Sequence, residues 1–320
     1  MFYWEKMGQV FNPTDYFETS EMFEFAQAPS MLDFGSFIRI YFTSRPKPDA
    51  SGQYVSRLLF ADFDRQDITK IVRVASNPIL PLGGRGEFDE FGTYPASMIR
   101  EGQKILAYYA GWTRCESVPF NVAIGLAESD LGGESFHRIG CGPVISYSQD
   151  EPFIMSGPKI RKFKGLFYLF YIAGRKWKVV SGKPEPVYKI RLAISKDGLS
   201  WEKVGKDLIP SLSEQDEAQA SPDVFYSNGR YHMFFCFRKS ENYRNRENGY
   251  RIGYARSDDL LVWERRDDLA GIDVSDTGWD SEMVSYPHVF EVNGDKFMAY
   301  LGNGVGRNGF GFARLNGDLE

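Results

Sequence analysis

Residues 3–13 read YWEKMGQVFNP and residues 200–210 read SWEKVGKDLIP. Trp4/Trp201, Glu5/Glu202, Lys6/Lys203, Gly8/Gly205 and Pro13/Pro210 occupy matching offsets. A motif that both opens the chain and recurs in its middle marks a repeating chain. It also marks the first dozen residues as the tail of a unit whose body lies elsewhere.

That body is found by following a second, Pro-centred element. It reads QAPSM (27–31), TYPASM (93–98), SGPKI (156–160), ASPDV (220–224) and SYPHV (285–289). Its prolines, Pro29, Pro95, Pro158, Pro222 and Pro287, are 66, 63, 64 and 65 residues apart. After each comes a turn (DFGS, REGQ, KFKG, SNGR, VNGD) and then an aromatic strand such as FIRIYFTSR, LFYLFYIAGR or RYHMFFCFR. A third segment follows (NVAIGLAES, YKIRLAISK, YRIGYARSD, GFGFARL), and then a short fourth, as in FHRIGCGPVI and WEKVGKDLIP. Period-2 runs bounded by Gly, Asn and Asp are strand and hairpin signals.

Four antiparallel strands repeated five times make an all-β, five-bladed β-propeller. The fifth unit stops at its third strand, GFGFARL, so the N-terminal strand must supply the fourth and close the last blade. We expect residues 1–320 to form a single propeller domain in which residues 1–13 complete blade five. Closure of this kind removes an exposed sheet edge.

Composition fits this reading. Aromatic residues make up 16% of the 320 positions and glycine occurs 32 times, a mix suited to short strands and tight turns. A net charge of -5 gives no general pull toward nucleic acid or an anionic membrane. No apolar run approaches a membrane span, and MFYWEKMGQV has neither the basic start nor the apolar core of a signal peptide. Cys115, Cys141 and Cys236 are an odd, unpaired set that fits reduced thiols and a cytoplasmic location.

In a propeller, the start of each first strand and the end of each second strand lie on one face. Two sets of candidate residues follow. The acidic set is Glu24, Glu90, Glu217 and Glu282, each five residues before its proline, with Glu151 seven before its own and Asp89, Asp216 and Asp280 close by. Converging carboxylates split into acid and base roles, which is what glycoside hydrolysis requires. Loop acids that only bond backbone turns are the structural alternative. The basic set is Arg45, Arg114, Arg175 and Arg238, with Asn303 in the fifth blade. Guanidinium groups around a channel recognise phosphate or carboxylate, or else neutralise the acids. Gln27, Tyr94, Trp112, Tyr286 and His288 stand near the same mouth.

Other motifs are weaker. GVGRNG (304–309) has no helix after it and reads as a turn, not a dinucleotide site. His137, His232 and His288 lack metal-ligand spacing, so we expect no metal and no cofactor. SKDGLSW (195–201) resembles the structural Asp-box turn of propeller glycosidases.

With these repeats, the whole chain resembles the five-bladed propellers of glycoside hydrolase families 43 and 32 and their relatives, some associated with surface polysaccharides. Family 43 enzymes carry a base Asp directly before the first-blade proline and another Asp before the third-blade proline. Here those positions hold Ala28 and Gly157. The family's acidic E-G-P element is replaced by DEAQASP, with Glu217 lying earlier, and the E-D-P element of family 130 phosphorylases is missing. The resemblance implies a glycosidase-like enzyme acting on a carbohydrate, with Glu217 as general acid, Asp280 or Glu282 as base or nucleophile, and Glu90 and Asp89 orienting hydroxyls. Glu151 and Asp216 complete the candidates. The arginines imply an anionic sugar: a sugar phosphate, nucleotide sugar or acidic sugar. A sugar-binding propeller without turnover, or a scaffold, are the alternatives.

Overall fold

The computed structural model describes residues 2–17, 22, 24–212 and 217–319. Five four-stranded antiparallel sheets make up the molecule. The first strands are Glu24–Asp33, Thr93–Glu101, Met155–Phe163, Glu217–Ser227 and Ser285–Val292. Each packs against the next, and Ser285–Val292 returns to Glu24–Asp33, so the ring is closed. Second strands (Phe37–Arg45, Lys104–Arg114, Leu166–Val180, Arg230–Lys239, Asp295–Leu301) and third strands (Arg57–Asp64, Phe120–Ser129, Lys183–Ser195, Arg251–Ser257, Phe310–Asn316) follow outward. Four of the blades end in outer strands of two to four residues: Ile71–Val74, His137–Arg138, Glu202–Lys203 and Glu264–Arg265.

Blade five ends in the N-terminal strand, Tyr3–Phe11, which is nine residues long. It pairs antiparallel with Phe310–Asn316, placing Tyr3 opposite Asn316 and Lys6 opposite Ala313. Its side chains also bind the neighbouring blades. Trp4 packs edge-on to Phe234 of blade four at 5.3 Å, and Phe11 lies 4.8 Å from Phe42 of blade one. Both are buried, so the strand contributes core area to three blades.

Each first strand is interrupted at its proline. The pairing register shifts there in all five blades, between Gln27 and Ser30, Thr93 and Ala96, Ser156 and Lys159, Ala220 and Asp223, and Ser285 and His288. The residue before the proline takes a left-handed backbone in four of them: Ala28 (φ 53), Gly157 (φ 60), Ser221 (φ 48) and Tyr286 (φ 52). In the remaining blade the Tyr94–Pro95 peptide is cis. A β-bulge re-aims a side chain, and a bulky residue such as Tyr286 at positive φ is strained. These bulges turn the ring of pre-proline residues toward one face.

The turn containing SKDGLSW is structural. Asp197 Oδ1 accepts the backbone N–H groups of Leu199 and Ser200, both at 2.8 Å. Asp259 does the same for Leu261 and Val262.

Candidate functional site

The acids before the first strands are held inside their own blades. Asp89 Oδ2 accepts from Arg138 Nε at 2.7 Å and from the Tyr109 hydroxyl at 2.9 Å. Glu151 meets Lys203 at 2.6 Å, Arg191 at 2.8 Å and the Tyr171 hydroxyl at 2.9 Å. Glu217 meets Arg265 at 2.8 Å, and its Oε1 also accepts from Gln219 Nε2. Asp280 meets Lys6 at 2.7 Å and the Tyr300 hydroxyl at 3.0 Å. A cation of the outer strand is present every time, so each clasp crosses the blade and ties its first strand to its last. Lys6 and Lys203 are the shared lysines of the two WEK motifs, Arg265 follows in Trp263–Glu264–Arg265, and Arg138 ends Phe136–His137–Arg138. Burial pushes the Glu151 carboxyl up, but Lys203 and Arg191 outweigh it and hold it below the usual range.

A second charged network occupies the axis. Asp223, His288 and Lys159, each directly after its proline, are all buried there. Asp223 accepts from Arg161 at 2.5 Å and from the Val289 N–H at 2.7 Å. Met31 N–H donates to His288 Nε2 at 2.9 Å, which leaves Nδ1 as the protonated nitrogen, facing Asp223 at 3.2 Å. Burial depresses His288 to about 4 despite Asp223, and burial likewise lowers Lys159 to about 8. Burial would raise Asp223, but Arg161, His288 and Lys159 together hold it well below the carboxylate range. This network joins blades one, three, four and five.

The pocket lies beside the bulges of blades two and five, whose Tyr94 and Tyr286 line it. It has a volume of about 970 Å³ and is rimmed by the loops between second and third strands in four blades (52–54, 115–119, 243–250 and 304–307) and by the start of the third strand, 183–186, in blade three. Six tyrosines line it (Tyr54, Tyr94, Tyr188, Tyr243, Tyr250 and Tyr286) together with Phe25, Trp112 and Phe120. Four lining arginines stand against these rings, and Arg244 and Arg307 are paired with Glu185 and Glu24, which leaves Arg45 and Arg238. The Arg45 guanidinium lies 4.8 Å from the Phe25 ring centre, 5.2 Å from Tyr94 and 5.4 Å from Tyr54. It has no hydrogen-bond or carboxylate partner among the described residues, and its Nε is buried and unmet. Desolvation lowers its pKa, yet a guanidinium stays charged at neutral pH. Arg238, 2% exposed, stacks 3.6 Å from the Tyr243 centre. It donates to Tyr250 Oη and to the carbonyls of Lys239 and Pro186, and has no carboxylate partner among the described residues.

Tyr94, Tyr286 and Tyr250 run between the arginines with ring centres 6.2 Å apart at each step. Burial raises the pKa of all three, which keeps the phenols protonated as donors. The Tyr188 and Tyr250 hydroxyls are 2.5 Å apart. An aromatic floor with a cation at either end, Arg238 buried and Arg45 half-buried, suits a ring-shaped ligand that carries negative charge.

Among the sequence-derived candidates, Gln27, Arg45, Tyr94, Trp112, Arg238, Glu282 and Tyr286 line this pocket. Gln27 donates to Val305 O and Trp112 to Tyr94 O, both at 2.5 Å. Asp89, Glu151, Glu217 and Asp280 do not line it, since each is spent on its clasp. Glu90 accepts from Gly86 N–H, and Glu24 pairs with Arg307 at the rim. Asp216 lies outside the described residues. Arg114 is engaged by Asp49 at 2.5 Å, and Arg175, half exposed, faces Asp207 at 3.9 Å. His288 stands in the axial network, not at the mouth, because its position after the proline points inward. Asn303 accepts from the Glu282 N–H. Sequence reasoning missed Tyr54, Tyr188, Tyr243, Tyr250, Glu185, Arg244 and Arg307, which lie mainly on loops without a repeat; aromatic-rich stretches such as ENYRNRENGY were their one signal. Among the described residues no group of three or more His, Cys, Asp or Glu side chains is placed to hold a metal ion. Among the same residues, no helix is long and apolar enough to cross a membrane.

The fold is that of a five-bladed propeller, found in solved glycoside hydrolase structures. Three solved structures share it. A glycosyl hydrolase from Bacteroides ovatus superposes with a TM-score of 0.74 at 13% identity, covering 98% of this chain and 94% of that one. A thermostable family-43 glycoside hydrolase gives 0.67 at 17%, covering 94% and 91%. A structure from the GH130 family of mannoside phosphorylases gives 0.71 at 14%, covering 98% and 94%. At these identities the likeness carries the fold alone. No family model matches the sequence. The chain is 35% identical over 312 residues to the uncharacterized protein Rv1502 of Mycobacterium tuberculosis (strain H37Rv), covering 98% of this chain and 99% of the relative, and equally to MT1551 of strain CDC 1551. It belongs to the family of Rv1502.

Proposed function

We propose that this chain is a glycosidase-like propeller whose pocket takes an anionic sugar, the pyranose or furanose ring lying on the tyrosine floor and the acid group meeting Arg45 or Arg238. The observation that carries the reading is a pair of arginines, Arg238 buried and Arg45 half-buried, without carboxylate partners among the described residues. A buried, unpaired cation costs stability, and a site that keeps one is built for an anion that arrives with the ligand. The glycoside hydrolase propellers that share the fold support a carbohydrate as the ligand class.

For glycosyl cleavage or transfer, Glu282 is the candidate that remains, because it is the one carboxylate of the sequence-derived set on the pocket wall. Glu185 also lines the pocket but is already held by the Tyr243 hydroxyl and Arg244. Binding without turnover is the second reading. It is favoured by Ala28 and Gly157 at the family's acid positions and by the commitment of Glu217 and Asp280 to clasps.

The test is calorimetric titration with galacturonate, glucose 1-phosphate, UDP-glucose and neutral glucose, on the native protein and Arg45→Gln. Binding of an anionic member that is lost in Arg45→Gln supports the site. Equal binding of neutral and anionic sugars, or no binding by any of them, overturns it. With a ligand in hand, product formation abolished by Glu282→Gln separates turnover from binding alone.

A further inference from the structure

The hairpin of blade three is longer than its counterparts. Its strands, Leu166–Val180 and Lys183–Ser195, have 15 and 13 residues, against 7 to 11 for the second and third strands of the other blades. The extra length forms an arm, residues 175–187, that rises past the end of the blade. Three contacts pin it to the loop of blade four. Lys178 meets Glu241 at 2.5 Å, Arg244 meets Glu185 at 2.8 Å, and the Tyr243 hydroxyl donates to Glu185 at 2.8 Å. On the other side Trp177 packs against Phe120 of blade two at 5.3 Å. The arm is therefore a fixed wall.

Between the arm and the blade-four loop runs a second depression of about 410 Å³, lined by Val180, Ser181, Ser240, Asn242 and Asn245. It shares Lys183, Glu185, Tyr243 and Arg244 with the central pocket, so the two are one continuous cleft. Tyr243 stands at the junction. Its ring carries Arg238 at 3.6 Å and Arg244 at 4.4 Å. The Arg244 side chain is 70% exposed, and beyond the residues shared with the central pocket the outer lining is Val180 and four small hydroxyl or amide side chains.

We infer that the cleft holds a saccharide chain, with an anionic unit in the central pocket and at least one further unit leaving between blades three and four over Tyr243. Resting on the anionic-sugar reading above, it adds chain length and direction to it. Three features point to a chain. The depression is continuous with the pocket, so a ligand anchored at Arg238 has a path outward. The Ser and Asn lining offers donors and acceptors for hydroxyl groups, which a compact ion would leave unused. The walls are pinned beforehand, so an outer unit is bound without ordering a loop.

The test is titration with oligogalacturonides of one to six units against the native protein, Val180→Glu and Val180→Thr. Val180 lines the outer depression and not the central pocket, and it sits near the exposed hairpin tip, so neither variant disturbs the anionic subsite. The expected result is affinity rising by about tenfold or more between the monomer and the longer chains. Val180→Glu should remove that gain while leaving the monomer's affinity unchanged, and Val180→Thr should keep it. Affinity independent of length, or a gain that survives Val180→Glu, overturns the chain while leaving the anionic-sugar site standing. An oligoglutamate of matching charge that binds as tightly as the saccharide overturns the saccharide assignment. No binding at any length overturns both this and the anionic-sugar reading.

Discussion

Blade interiors and pocket handle charge in opposite ways. Inside the blades, Asp89, Glu151, Glu217 and Asp280 each meet a cation of the outer strand within 3 Å, and three of them also accept from a tyrosine twenty residues on. In the pocket, Arg45 and Arg238 are surrounded by rings and have no carboxylate among the described residues. The same residue types stabilise in one place and wait in the other. A paired buried charge resists removal of either partner, whereas an unpaired one is a stored cost that a ligand relieves.

Four experiments test that contrast. The largest effect is expected from the closing strand. Trp4→Ala empties a site buried between blades four and five and should cost about 3–5 kcal/mol in denaturant unfolding, and deletion of residues 1–13 should cost more. A deletion variant with an unchanged midpoint would deny that this strand closes the ring. Next come the clasps. Glu217→Ala leaves the buried Arg265 side chain with Asp267, at 2.7 Å, as its remaining carboxylate and should cost about 1.5–3 kcal/mol. Asp89→Ala should behave alike, and stability equal to the native protein would return these acids to the list of functional groups.

Acidification gives the third test. Unfolded histidine takes a proton below about pH 6.5, while buried His288 resists until about 4. The unfolded state therefore binds more protons in that window, and stability should fall as pH drops from about 6.5 to about 4. His288→Gln should flatten this slope in urea midpoints, and an unchanged slope would assign the acid loss to other groups. The smallest change should come from the pocket and should carry the opposite sign. Arg45→Met removes a half-buried cation that has ring contacts but no hydrogen-bond or carboxylate partner among the described residues, and should raise stability by up to about 1 kcal/mol while abolishing anion binding. A marked loss of stability instead would make Arg45 structural.

Much of the architecture was legible in the repeat. Evenly spaced prolines and period-2 aromatic strands define five units, and the WEK match at residues 4–6 and 201–203 identifies the strand that closes the ring. The site was legible in part. Arg45, Arg238 and Tyr94 reach the pocket, whereas Arg114 and Arg175, at the same place in their repeats, face Asp49 and Asp207 instead. Counting back a constant distance from proline gave acids in different settings. It lands on Glu90 and Glu282, beside Asp89 and Asp280, which were also candidates and are the buried members, because loops of different length enter the first strands and shift the buried position by one or two residues.

By itself, then, the sequence determined strand order, blade number and closure, since these follow from local periodicity that each unit repeats. The tertiary structure alone decided which charges are spent and which are available. Asp89 and Arg138 are 49 residues apart, and Asp280 and Lys6 lie near opposite ends of the chain. Whether a carboxylate meets a cation is fixed by lateral order within a blade and by which way a bulge turns a side chain, and neither is written in the pattern of neighbouring residues.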